Sequence, residues 1–130
     1  MKASKGEERI IELLQRGSYK FEREKRFEDL KGGKYRFDFY VHGGYGIIEF
    51  NGEGHYYPIE KFYSTRKDFN SAQERDRRKI SYCLAHNIPI YCIPYWELEK
   101  LDSASDIFQP KYRAYDKWKN DKDWAKYVAL

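Results

Sequence analysis

The chain has 130 residues, 41% of them hydrophobic and 35% charged, with a net charge of +4, which suits one domain with its own core. No apolar run approaches the roughly 18 residues of a membrane span, the N-terminus has no apolar signal-peptide region, and two cysteines are too few for a disulfide framework. We therefore expect a soluble, cytoplasmic protein with no membrane partner.

A helix and a strand are predicted first. Ser4 and Glu7 fit the capping box S-x-x-E, and the apolar residues Ile10, Leu13 and Leu14 follow at helical spacing. This pattern predicts a helix from about Lys5 to Arg16. From Tyr19 to Phe27 aromatic residues at odd positions alternate with charged residues, which predicts a half-buried strand.

The next segment, YRFDFYVHGGYGIIEFNGEGHY, predicts a hairpin with one acid in each arm. A two-residue turn at Gly43 and Gly44 sets a register in which Asp38 lies directly opposite Glu49. Directly opposed residues have Cβ atoms about 4.5–5.5 Å apart, and like charges there are destabilising. Strand alternation puts both acids on one face, with Phe37, Phe39 and Val41 on the other.

Two arrangements would offset this repulsion. Mg²⁺ prefers oxygen ligands, binds through one or two carboxylates and keeps waters for a substrate phosphate, so the pair suits metal-assisted hydrolysis of a phosphodiester. Alternatively, Arg36 or a lysine neutralises the pair as an ordinary cross-strand salt bridge. The pair alone leaves both open.

A second helix is predicted from about Asp68 to His86, followed by the apolar run Ile88–Ile93. A helix that returns to a buried strand places that strand parallel to a neighbour, so the order becomes α-β-β-β-α-β. The predicted fold is a single α/β domain with a mixed, mostly antiparallel sheet of about four strands and helices on its faces. A short helix near Glu97 to Leu101 is expected to follow.

A C-terminal helix is predicted from about Lys111 to Val128, within an extension that covers about residues 98–130. Its aromatic residues Tyr112, Tyr115 and Trp118 alternate with basic ones, a pattern that can stack on unpaired nucleotides. Aromatic residues at helical spacing more often pack against the domain or a second copy of it, and we expect packing here. A homodimer is therefore one expected form.

Basic residues concentrate between Lys61 and Ile80, where seven bases and three acids equal the net charge of the whole chain. Such a local field suits a polyanion such as nucleic acid, although a solvated helix face has the same pattern. The residues expected to contact nucleic acid are Lys61, Arg66, Lys67, Arg75 and Arg78.

Five segments in order resemble the PD-(D/E)XK nuclease superfamily, in the branch of the very-short-patch repair endonucleases and related phage and homing endonuclease domains. They are SKGEERIIELL, RFDFY, IIEFNGEGHY, the helix Gln73-x-x-Asp76-x-x-Lys79 with Tyr82-Cys83, and Asn87-Ile88 leading to Ile93-Pro94-Tyr95-Trp96-Glu97. The resemblance covers about Ser4 to Glu97. It implies a DNA endonuclease dependent on Mg²⁺, with Mn²⁺ as a substitute, in a bacterial or phage-infected cytoplasm.

The resemblance also implies roles for individual residues. Asp38 and Glu49 would bind the metal together with the backbone carbonyl of Phe50. Glu7 matches an acid that often joins this metal site in the superfamily, although it is also the third residue of the capping box.

Two departures from the family pattern affect the catalytic residues. The pattern has a lysine two residues after the second acid, where this chain has Asn51, and relatives commonly have a glutamine where this chain has Gly54. Either another residue does the lysine's work, with His55 and Lys79 as the candidates, or activity is impaired.

Helical geometry places Gln73, Asp76 and Lys79 toward one side of the second helix, with Asp76 inside its apolar stripe. A carboxylate facing a core is rarely without a partner. We expect these three residues to line the wall behind the metal site; the alternative is a buried salt bridge from Asp76 to a neighbouring arginine.

Overall fold

A computed structural model of the chain describes residues 3–52 and 66–114. Within them lie two α-helices and a four-stranded sheet: α1 (Lys5–Arg16), β1 (Phe21–Lys25), β2 (Phe37–Val41), β3 (Gly46–Asn51), α2 (Arg66–Ala85) and β4 (Ile90–Pro94). Short 3₁₀ helices cover Lys31–Gly33, Tyr95–Lys100, Ala104–Asp106 and Pro110–Tyr112. No helix in the described ranges is both long and apolar enough to cross a bilayer.

The sheet has the strand order β1-β2-β3-β4. The first three strands are antiparallel neighbours, and β4 pairs in parallel with β3, as expected for a strand that follows a crossover helix. The predicted α/β fold and its α-β-β-β-α-β order are therefore confirmed. The helix predicted near Glu97 is a 3₁₀ helix, and most of the predicted C-terminal helix lies outside the described residues.

The hairpin has the predicted register. Val41 pairs with Gly46, and Phe39 pairs with Ile48. Gly43 and Gly44 have φ values of +90° and +83°, the left-handed values that a two-residue turn of type I′ requires at both central positions. This turn therefore fixes which residues of β2 and β3 face each other.

Each face of the sheet carries a hydrophobic core. Helix α1 packs on one face, where Ile10, Leu13 and Leu14 are buried against Phe39 and Ile48. Full burial of each of these aliphatic side chains stabilises the fold by about 1.5–3 kcal/mol. Helix α2 packs on the other face. Its residues Ile80 and Cys83 are buried there against Phe37, Ile47 and Ile90.

The strand alternation predicted for β1 and β2 breaks near the open end of the hairpin. Phe39 packs on the α1 side, but Phe37 packs on the α2 side. Its partner on β1, Lys25, follows Glu24, whose φ of +56° is left-handed and rare for a residue with a side chain. The two strands therefore reverse their faces at this point.

This reversal corrects two predictions. Phe37 does not share a face with Phe39 and Val41, and Phe27 packs in the core opposite to that of Phe21. The predicted β1 was also too long, because the strand ends at Lys25. Tyr112 is buried in the α1-side core, which confirms packing for that residue.

Candidate functional site

The two acids of the hairpin are tied to each other's strands. Oδ2 of Asp38 accepts a hydrogen bond from the backbone N–H of Phe50 over 2.8 Å. Oε2 of Glu49 accepts one from the backbone N–H of Asp38 over 3.2 Å. These bonds lie beyond the last paired residues of the hairpin, Phe39 and Ile48, so side chains replace the ladder there. The predicted convergence of Asp38 and Glu49 is confirmed.

The protonation of this pair follows from its surroundings. Burial, then the charge of Glu49 and a hydrogen bond between the two carboxyl groups, hold the pKa of Asp38 well above its usual 3.8. Lys79 and the N–H of Phe50 oppose this shift without cancelling it. Asp38 therefore keeps its proton to higher pH than an ordinary aspartate, and its protonated form lacks the like-charge repulsion with Glu49.

Lys79 of α2 neutralises the second acid. Its Nζ forms an ion pair with Oε1 of Glu49, and both side chains are largely buried, at 14% and 9% exposure. The same Nζ lies 4.9 Å from the ring centroid of Phe37, within the range of a cation–π contact. Burial alone would lower the pKa of Lys79, but Glu49, with Asp38 and Asp76, raises it. The ammonium group is therefore held in its charged form.

This ion pair agrees in part with the alternative prediction, in which a salt bridge neutralises the hairpin acids. A lysine does neutralise the pair, but it comes from α2 on the sheet face and not from a neighbouring strand. The other residue considered for this role, Arg36, lies 3.3 Å from a carboxylate oxygen of Glu24.

A cleft beside the pair collects several of the predicted residues. Its polar lining consists of Glu49, Asn51, Asp76 and Lys79, over the apolar side chains of Ile80, Ile90 and Cys92. Asn51, at the position where the nucleases that the sequence resembles have a lysine, is buried in this cleft at 7% exposure. Lys79 therefore brings a positive charge into the cleft that contains Asn51.

Gln73 lies on the same helix as Asp76 and Lys79 but is not part of the cleft lining. It is 2% exposed, and its Nε2 has no hydrogen-bond partner within the described part of the chain. Asp76 and Lys79 thus line the cleft beside Glu49, and Gln73 is a buried donor on the same helix. That these three residues form the wall of a metal site stays a prediction.

The capping box at the start of α1 sets the position of the Glu7 side chain. Its N–H donates to Oγ of Ser4 over 3.2 Å, and its Oε1 accepts from the N–H of Ser4 over 3.3 Å, so the predicted capping box is confirmed. Its Oε2 lies 3.6 Å from Nη2 of Arg23 on β1. No group of three or more His, Cys, Asp and Glu side chains in residues 3–52 and 66–114 is arranged to hold a metal. A metal role for Glu7 stays a prediction.

Of the other residues singled out in the sequence, some lie outside the described part of the chain and some lie near the site. His55 and Lys61 lie outside the described residues. The N–H of Phe50 contacts Asp38, and the use of its carbonyl as a ligand stays a prediction. Cys83 is buried on the α2 side, where burial and then Glu49 raise its pKa to about 12, so this thiol is not a ready nucleophile.

The basic surface of α2 extends to a loop that sequence reasoning missed. Lys67, Arg75 and Arg78 are exposed on the helix, which begins at Arg66. Nη1 of Arg78 lies 3.5 Å from the hydroxyl of Tyr35, in the loop between β1 and β2. That loop exposes further bases, among them Lys31 and Lys34. The signal in the sequence was the acid-free run KGGKYR at residues 31–36.

Along the chain, Arg78 directly precedes the cleft residue Lys79, and the loop leads into β2, which carries Asp38. We refer to Lys31, Lys34, Arg75 and Arg78 as the basic surface. The salt bridge of Arg78 with Glu74, at 3.5 Å, offsets part of its charge.

No protein-family model matches the chain, and searches of curated proteins and of solved structures give no match. The likeness to PD-(D/E)XK nucleases therefore rests on the sequence motifs alone.

Proposed function

We propose that this protein is a Mg²⁺-dependent endonuclease that hydrolyses DNA phosphodiester bonds. The observation that carries the proposal is the convergence of Asp38 and Glu49 at the open end of the hairpin, beside a polar cleft that also contains Lys79. Two carboxyl groups of this kind are costly to keep together, since the charge of one raises the pKa of the other. Metal binding is a physical reason to keep them.

The residues present fit a hard divalent cation. Asp38 and Glu49 supply carboxylate oxygens, which Mg²⁺ and Mn²⁺ prefer, and Phe50 lies beside them. When bound, the ion would supply Lewis-acid stabilisation of charge that builds on a phosphate oxygen. Loss of the proton on Asp38 would accompany binding, because metal ligands act in their deprotonated form.

Lys79 is the better supported of the two candidates for the missing lysine. Its ammonium is charged and lies in the cleft, where a cation can stabilise a phosphate in the transition state. Asn51 is neutral, so it can orient a water through hydrogen bonds but cannot supply that charge. His55 stays the second candidate for proton transfer.

The basic surface supports a nucleic-acid substrate. Lys31 and Lys34 are exposed on one loop and Arg75 and Arg78 on α2, and both elements lead into the carboxylate site. A duplex or single strand held there by its phosphates would lie next to the cleft.

A second candidate function is a DNA-binding module of the same fold without catalysis. Asn51 favours this alternative, because a neutral residue is buried where the family pattern has its lysine. A structural subunit of a phage or repair assembly is a more remote form of the same alternative.

One assay separates these functions. Plasmid, single-stranded and branched DNA are incubated with the wild type and with Asp38→Asn, in Mg²⁺, Mn²⁺ or EDTA. We expect cleavage by the wild type with metal, none in EDTA, and none by Asp38→Asn. Binding without cleavage of every substrate in both metals would replace the enzyme with the binding module.

A further inference from the structure

Lys79 is held at Glu49 by several contacts at once. Its Nζ pairs with Oε1 of Glu49, packs over the Phe37 ring, and is largely buried. The other oxygen of Glu49 accepts the N–H of Asp38. Both oxygens of Glu49 are therefore engaged within the protein itself.

An ammonium group and a divalent cation cannot both sit at the same carboxylate oxygen without strong repulsion, since like charges about 4 Å apart repel strongly wherever water is scarce. We propose that the Lys79 ammonium occupies the cation position at Glu49 in the metal-free protein, so that a metal ion binds by displacing it. Lys79 thereby sets the affinity of the site for divalent cations. This inference rests on the proposed function.

Because Lys79 is displaced, metal binding at this site should depend on DNA. A displaced Lys79 leaves a carboxylate partner and needs another anion, because its side chain is largely buried. A phosphate of DNA at the basic surface would supply it. Metal and DNA should then bind cooperatively, and by linkage each should raise the equilibrium affinity for the other by the same factor.

The test measures metal binding in the absence of DNA, by calorimetry and by the rise in melting temperature with Mg²⁺ or Mn²⁺. Lys79→Met removes the competing charge and should lower the Kd for metal by about 10- to 100-fold, the range that corresponds to one charge-assisted hydrogen bond. Lys79→Arg keeps the charge and should stay close to the wild type. Lys20→Met, at an exposed lysine near the turn end of the hairpin, is the matched control and should leave the Kd unchanged.

A loss of stability does not test the inference, because replacing Lys79 would destabilise the protein even if its role were only structural. If Lys79→Met does not fold, Lys79→Gln provides the same test, since its neutral amide can still donate to Glu49. A folded Lys79→Met or Lys79→Gln with wild-type or weaker metal affinity would overturn the inference and leave the nuclease proposal standing.

Two further results complete the test. If neither the wild type nor any variant binds metal, the proposed metal site fails, and the inference fails with it. For the cooperativity, an oligonucleotide duplex should lower the metal Kd of the wild type but change that of Lys79→Met much less. Equal effects of the duplex on both proteins would show that Lys79 does not couple the two ligands.

Discussion

Asp38, Glu49 and Lys79 form one charge cluster, and each residue determines the state of the others. Lys79 pairs with Glu49, while burial and then the charge of Glu49 raise the pKa of Asp38. The cluster therefore holds a proton on Asp38 more tightly than an isolated aspartate would. The contribution of the cluster to stability changes with pH because of Asp38. The pKa of Asp38 is raised, whereas the pKa of an acid in an ordinary salt bridge is lowered.

We expect Asp38→Asn to be increasingly more stable than the wild type as pH rises in EDTA. Because the folded-state pKa of Asp38 is raised above the usual 3.8, its contribution is fully present below that pH and is lost as pH rises through the folded-state value. The neutral amide of the variant does not titrate, so it loses nothing over this range. Urea unfolding at a series of pH values measures the difference in free energy of unfolding between the variant and the wild type. This difference should be about 0.2–1 kcal/mol or more at neutral pH.

Added Mg²⁺ should then make the wild type more stable than Asp38→Asn, because the ion binds the folded wild type and stabilises it by mass action. A variant that is less stable than the wild type in EDTA at every pH would instead make Asp38 a structural ion-pair partner.

At the scale of elements, α1 supports the site from the far side of the sheet. Gly6 of α1 lies so close to Phe50 that an added Cβ would come within 2.2 Å of the ring. The backbone N–H of Phe50 donates to Asp38. The packing of α1 on β3 therefore reaches the strand residue that holds the carboxylate.

Gly6→Ala should destabilise the protein by about 1–3 kcal/mol, the usual cost of overpacking. In an open helix position the same change would stabilise by about 1 kcal/mol, so the sign of the effect distinguishes the two situations. Chemical denaturation measures it. Phe50→Leu should remove most of the penalty in a double-mutant cycle; additive effects of the two substitutions would mean that the ring does not limit this site.

At the scale of the whole molecule, the basic surface joins two elements that are distant in sequence. Arg78 of α2 meets Tyr35 in the loop between β1 and β2, beside Lys31 and Lys34. A DNA backbone that follows α2 would therefore also meet this loop. The loop adds Lys31 and Lys34 to the bases predicted to contact nucleic acid.

Lys31→Gln with Lys34→Gln should weaken DNA binding and reduce the dependence of log K on log salt concentration by roughly 0.9 for each lost phosphate contact. Fluorescence anisotropy over a salt series measures both quantities. Arg16→Gln with Lys20→Gln removes the same charge at two exposed positions, the end of α1 and the residue before β1, and should leave the slope almost unchanged. Equal slopes for the two double variants would show that net charge, and not this surface, governs binding.

The sequence by itself determined the features that depend on neighbouring residues. The capping box of Ser4 and Glu7 predicted where α1 begins, and two glycines fixed the hairpin register that sets Asp38 against Glu49. The α-β-β-β-α-β order followed from residue periodicity and the parallel crossover. Such features are predictable because turn geometry and hydrogen bonding between near neighbours decide them.

Only the tertiary structure decided the contacts that depend on how the elements pack. The strand faces reverse next to the left-handed Glu24, and Phe37 lies on the α2 side. Alternation cannot anticipate this, because it assumes an unbroken extended backbone. The contact of Lys79 with Glu49 depends on the rotation and placement of α2 over the sheet. Helical periodicity gives the side of a helix on which a residue lies, but the partner it meets is set by packing across the whole core.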